Sequence, residues 1–176
     1  MVTREPGLSP AELDAWIGFV AVLETLPGAI DAQLKRDAGV NLFEYTVLAM
    51  LSEEPDRTLP MSSLAELSFG SLSRLSHAVA RLEKRGWVEK HTHTGRAPNT
   101  VSLTDVGFDA LVAVAGPHRS HVRRLVVDAH TDDELVALAR ISRKLVGAAE
   151  PDVLERLRAQ LPRIIERNTG DVPTAE

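Results

Sequence analysis

One stretch restricts the folds open to this chain more than any other: SLSRLSHAVARLEKRGWVEK, running from Ser71 to Lys90. Leu72, Leu75, Val79 and Leu82 recur there at steps of three, four and three, the spacing of one buried helix face. Ser71 has the chemistry of an N-cap and Gly86 that of a stop, which bounds the helix on both sides. Trp87-Val88-Glu89-Lys90 and Thr100-Val101-Ser102-Leu103 are β-prone runs flanking a Gly/Pro/Asn turn, the pattern of a two-stranded hairpin. Ahead of Ser71, the spacing predicts a short helix over 61–67 that ends in a Ser68-Phe69-Gly70 turn.

The rest of the chain reads as longer helices. Ser9-Pro10-Ala11-Glu12 is a capping box with proline at the first helical position. Leu13, Trp16, Ile17, Val20 and Leu23 follow at helical spacing, Pro27-Gly28 should kink or break the helix, and Ile30 and Leu34 carry the stripe to about residue 36. Asn41 to Glu44 repeats the cap logic for a helix to about residue 53, and Pro55-Asp56-Arg57-Thr58 reads as a loop. Thr104-Asp105 starts a helix to about residue 129, bent at Gly116-Pro117. Thr131 starts another to about residue 147, and Pro151 a last one to about residue 167. The expected fold is mostly α: a winged helix-turn-helix lobe over 41–107, with terminal helices at 9–36 and 108–167 in a single domain of 1–176. The apolar stripes of the terminal helices (Leu13, Trp16, Ile17, Val20; Leu154, Leu157, Leu161, Ile164, Ile165) exceed what one small lobe can cover, which predicts a homodimer.

Charge is unevenly spread. The formal net charge is −5, yet residues 71–100 hold six Lys/Arg against two Glu. A basic patch in an acidic chain suits a polyanion. A major groove admits one helix, read mainly from its N-terminal turns. Ser71, Ser73 and Ser76 would let that helix approach closely, Arg74 and His77 would reach base edges, and Arg81, Lys84 and Arg85 would meet phosphates. Double-stranded DNA is therefore the expected partner. A winged helix used only for protein contact is the alternative, and an acidic or neutral outer helix face would mark it.

The segment MSSLAELSFGSLSRLSHAVARLEKRGWVEK…GR…VSLTDVG resembles the MarR (multiple antibiotic resistance regulator) family of transcription regulators, most densely over 61–107. The resemblance rests on Leu64-Ala65, Leu75-Ser76, Val79, Leu82 to Val88, and Leu103-Thr104-Asp105 with Gly107. It implies a homodimer of intertwined terminal helices, two lobes reading a palindrome, and repression relieved by a small, often aromatic ligand between dimer region and lobe. The family's wing carries Asp-x-Arg. Here Arg96 matches, for a minor-groove contact, but Thr94 stands where the Asp would brace it.

Trp16, Phe19, Tyr45 and His118 are the candidates for lining an effector pocket, while Trp87 is assigned to packing and Arg123-Arg124 to a structural salt bridge. His91 and His93 share a strand face, and His118 and His121 stand at i, i+3, but no third ligand converges on either pair, so no metal is expected. The chain has no Gly-rich phosphate loop, no G-x-S-x-G, no H-E-x-x-H and no cysteine, which argues against an enzyme, a cofactor and thiol chemistry. No apolar run reaches the ~20 residues of a membrane span, and the N-terminus lacks a secretory h-region. The expected setting is the cytoplasm.

Overall fold

Five helices begin on side-chain caps, and the caps place the chain's main turns. In the computed structural model, which describes residues 7–92 and 98–169, helix α1 (Pro10–Ala38) starts at Ser9 and α2 (Leu42–Ser52) at Asn41. Both are full capping boxes; the Asn41 and Glu44 side chains each accept a backbone N–H at 2.9 Å. Ser71, Thr104 and Thr131 cap α4 (Leu72–Lys84), α5 (Asp105–Val122) and α6 (Asp132–Ala149). Helix α3 (Met61–Leu67) is the short one, and α7 (Pro151–Thr169) the last. Gly39 ends α1 in the left-handed region at φ 67°, where a glycine carries no steric penalty.

One helix runs unbroken past its proline, and another ends sooner than expected. Helix α1 continues through Pro27-Gly28 without a break, because the turns that follow are anchored: Gln33 and Leu34 are buried, and α1 packs on α5. Helix α5 passes Gly116-Pro117 and continues as a π-helical turn over Arg123–Val127, closed by a bond from the Asp128 N–H to the Arg123 carbonyl and an Arg123–Asp128 ion pair at 3.0 Å. Arg123 thus makes the salt bridge expected of the pair, whereas Arg124 bonds His121 Nδ1 at 2.8 Å instead.

The sheet has one strand more than the hairpin. Strands β2 (Val88–His91) and β3 (Thr100–Leu103) pair antiparallel, and β1 (Thr58–Pro60) adds to the other edge of β3. Pro60 is tolerated because β1 is an edge strand of three residues. The core lies among the sheet, α2 to α4, the end of α1 and the start of α5: Leu34, Val47, Leu48, Leu51, Leu64, Leu75, Val79, Leu82, Val88, Val101, Leu111 and Val114 are all buried. Each fully buried aliphatic contributes roughly 1.5–3 kcal/mol of hydrophobic stabilisation. Leu72 does not join them. At the first position of α4 it overhangs the core's edge, 55% exposed, and Ala78 completes the buried face instead.

Outside the lobe, burial falls away. Helix α6 has no buried residue, and α1 buries only Gln33 and Leu34. Leu13, Trp16, Ile17 and Leu23 on α1, and Val136, Leu138, Ile141 and Leu145 on α6, stand in the open. Contrary to the expectation from the sequence, α1 is long and apolar enough to cross a membrane by length and composition, since charges are sparse along most of it.

Candidate nucleic-acid interface

Helix α4 is seated by Leu75, Ala78, Val79 and Leu82 and reaches its position through a tight turn from α3. That turn needs Phe69 at φ 54° and a residue without a side chain after it: a Cβ on Gly70 would come 2.5 Å from the Phe43 ring. With the apolar face inward, Ser71, Ser73, Arg74, Ser76, His77, Arg81 and Lys84 are all exposed on one flank of the lobe. The opening turns carry small hydroxyl residues, so a partner surface could approach the backbone there.

The cations of this flank divide by what holds them. Arg74 lies over the Phe43 ring, 4.1 Å from its centroid, which keeps the guanidinium extended along the surface. Arg81 forms an ion pair through Nε with Glu44, a carboxylate that is 95% buried and also caps α2. Arg85 donates to the carbonyls of Ala38 and Gly39 at 2.6 and 3.1 Å and stacks 3.7 Å above the Trp87 ring. It thereby satisfies carbonyls left open at the C-terminus of α1. Lys84 makes no ion pair or side-chain hydrogen bond among the described residues. Of the residues expected to meet phosphates, Arg81 and Arg85 are thus first of all struts of the lobe. Ser71 is likewise engaged, accepting the Arg74 N–H at 3.2 Å as N-cap.

The partners Glu44, Phe43, Ala38 and Gly39 were not anticipated from the sequence. Only the Asn41-x-x-Glu44 capping box hinted that Glu44 had a fixed place. Arg96, Thr94 and His93, the expected wing-tip residues, lie outside the described residues. His91 on β2 bonds Ser102 Oγ across the sheet at 2.7 Å.

The four candidate effector residues divide into two places. Tyr45 and His118 meet, ring centroids 4.4 Å apart, at a cavity of about 670 Å³ also lined by Leu111, Arg119, Val122 and Ile164. His118 Nδ1 bonds Gln33 Oε1 at 3.0 Å, and burial, reinforced by His121, lowers its pKa from the ordinary 6.5. Burial also raises the Tyr45 phenol pKa, with Arg119 opposing. Trp16 and Phe19 lie along α1, 6.4 Å apart, and do not line that cavity. His118 and His121, which bonds the Ala29 carbonyl at 3.2 Å, both sit where α5 meets α1.

A MarR family transcriptional regulator from Streptomyces coelicolor, solved in complex with DNA, is 35% identical to this chain with a TM-score of 0.79, over 84% of this chain and 93% of that one. This chain belongs to the MarR family. AbsC, a second MarR family regulator from Streptomyces coelicolor, is 30% identical with a TM-score of 0.71, over 90% of this chain and 100% of the other. A MarR family regulator from Silicibacter pomeroyi shares the fold at 22% identity, with a TM-score of 0.65 over 81% of this chain and 100% of that one. No family model matches the sequence, and no curated protein matches it. The chain's helices and small three-stranded antiparallel sheet are consistent with the winged-helix fold of that family.

Proposed function

We propose that this MarR protein is a DNA-binding transcriptional regulator that reads a palindromic operator as a homodimer and acts as a repressor. The observation that carries the reading is the outer flank of α4, where Ser73, Arg74, Ser76, His77 and Lys84 are exposed above a buried apolar face. Arg74 and His77 address base edges, Lys84 addresses phosphate, and Ser71, Ser73 and Ser76 permit close approach. Arg81, half-exposed beside Glu44, adds positive field and leaves its second edge for a phosphate. Arg96 is assigned to the minor groove because it matches the arginine of the family's Asp-x-Arg. The DNA in the Streptomyces coelicolor relative supports the same partner here.

Dimerisation is supported by the uncovered apolar residues of α1 and α6; Ile17 is 58% and Val136 68% exposed. A second subunit is a better cover for α1 than lipid, since Leu34 at its end is fully buried in the lobe. The Tyr45–His118 cavity is the place for a small aromatic effector that releases DNA, and the cytoplasm is the compartment. The test is selection of binding sites from random duplex DNA. Enriched sites with dyad symmetry and half-sites about one helical turn apart are expected. No enrichment at low salt would instead favour a winged helix that docks another protein.

A further inference from the structure

Helices α6 and α7 pack tightly at Gly147, where a Cβ would come 2.7 Å from Leu154 Cδ2. Beside this contact the two helices open into a cleft of about 430 Å³, lined by Arg140, Arg143, Lys144, Gly147, Leu154 and Arg158. Four of the six lining residues are cationic and none is acidic. Arg140, Arg143 and Lys144 stand at i, i+3 and i+4, so they share one face of α6 and repel one another. Arg158 faces them from α7 and bonds Glu155 at 2.7 Å. Arg140, Arg143 and Lys144 have no ion pair or hydrogen bond from their side chains among the described residues.

The acidic residues of α6 give them no relief, because Asp132, Asp133 and Glu134 are all confined to its first turn. The helix dipole favours cations in the last turn, and none of the three lies in the last turn of α6. It does not account for three cations on the one side that confronts a fourth. In a chain with 25 Asp and Glu against 20 Lys and Arg, such a grouping is not a product of composition.

We propose that this cleft binds a small anion carrying more than one phosphate group. Guanidinium groups offer paired N–H donors that match phosphate oxygens, and the lysine adds a mobile point charge. The volume is that of a small-molecule site, and Gly147 with Leu154 supplies an apolar floor. No lining residue belongs to the α4 flank or to the Tyr45–His118 cavity, so the site is independent of the DNA-binding reading.

Inorganic pyrophosphate titrated calorimetrically into the full chain at low ionic strength provides the test, with sulfate matched for ionic strength as reference. One saturable pyrophosphate site per chain is expected. Arg143→Gln, and separately Arg140→Gln with Lys144→Gln, should weaken it at least ten-fold, while Lys35→Gln on α1 should leave it unchanged. Absence of saturable binding, equal binding of sulfate, or equal weakening by Lys35→Gln overturns the proposal. So does a cleft variant that loses affinity for duplex DNA while the wild type holds no pyrophosphate, which would make the cleft a DNA-backbone contact. Failure of the DNA reading alone leaves the pyrophosphate result standing.

Discussion

Arg74 and Lys84 are both exposed cations of α4, yet their surroundings predict different losses. Arg74 is steadied by the Phe43 ring near the start of the helix, where a recognition helix would reach base edges. Arg74→Ala should cost about 1–3 kcal/mol on the preferred site and relax selection at one base position, measured by binding to single-base variants. Equal weakening on all sequences would reassign it to the backbone. Lys84→Ala should weaken all duplexes alike and reduce the slope of log affinity against log salt by about one. His118 gives a prediction in pH. Its folded pKa is lowered from 6.5, so its contribution to stability is complete above the unfolded value and is lost as pH falls from about 6.5 toward the lowered folded value. Urea midpoints of the wild type should therefore fall over that window, and His118→Gln should flatten the dependence. These residues were legible in outline: an exposed basic flank follows from the Leu75–Val79–Leu82 stripe alone. What each arginine touches was not, because the partners of Arg81 and Arg85 stand 37 and 47 residues away along the chain.

At the scale of elements, the same distinction decides what could be read. The starts of helices α1, α2, α4, α5 and α6 were placed well because both halves of each N-cap lie within three residues, as with Ser9 and Glu12. Strand β1 was missed because three residues ending in proline carry no periodicity, and the strand exists only through its pairing of Leu59 with Val101. Pro27 was given too much weight, since a proline removes one helical bond while the packing of Ile30 and Leu34 holds the next turns in line. The struts of α4 bear on stability. Arg81→Ala leaves the Glu44 carboxylate buried without its partner and should cost about 1–3 kcal/mol in thermal unfolding, partly restored by adding Glu44→Gln. Arg85→Ala should lower the melting temperature and weaken every duplex together, with an unchanged salt slope. A reduced slope with full thermal stability would show that Arg85 meets phosphate after all.

For the whole molecule, the contrast is between a lobe with a complete core and helices α1 and α6 with almost none. Ile17→Glu puts a charge on a residue that is 58% exposed in one protomer, so a monomer should tolerate it within about 0.5 kcal/mol. If α1 is covered by a second subunit, sedimentation should show dissociation at micromolar concentration and DNA affinity should fall more than ten-fold. A monomer that binds a palindrome with full affinity would refute the dimer. The bond from Arg85 to the end of α1 then acquires a mechanical meaning. On that proposal, the reading helix would be bolted to one end of a rod whose other end belongs to the subunit contact. At 1.5 Å per residue, the 29 residues of α1 span ~43 Å, so a tilt of about five degrees swings the far end by ~4 Å. That exceeds the 3.4 Å rise of one base pair. Small rotations where two subunits cross would thus be geared up into a change of half-site register.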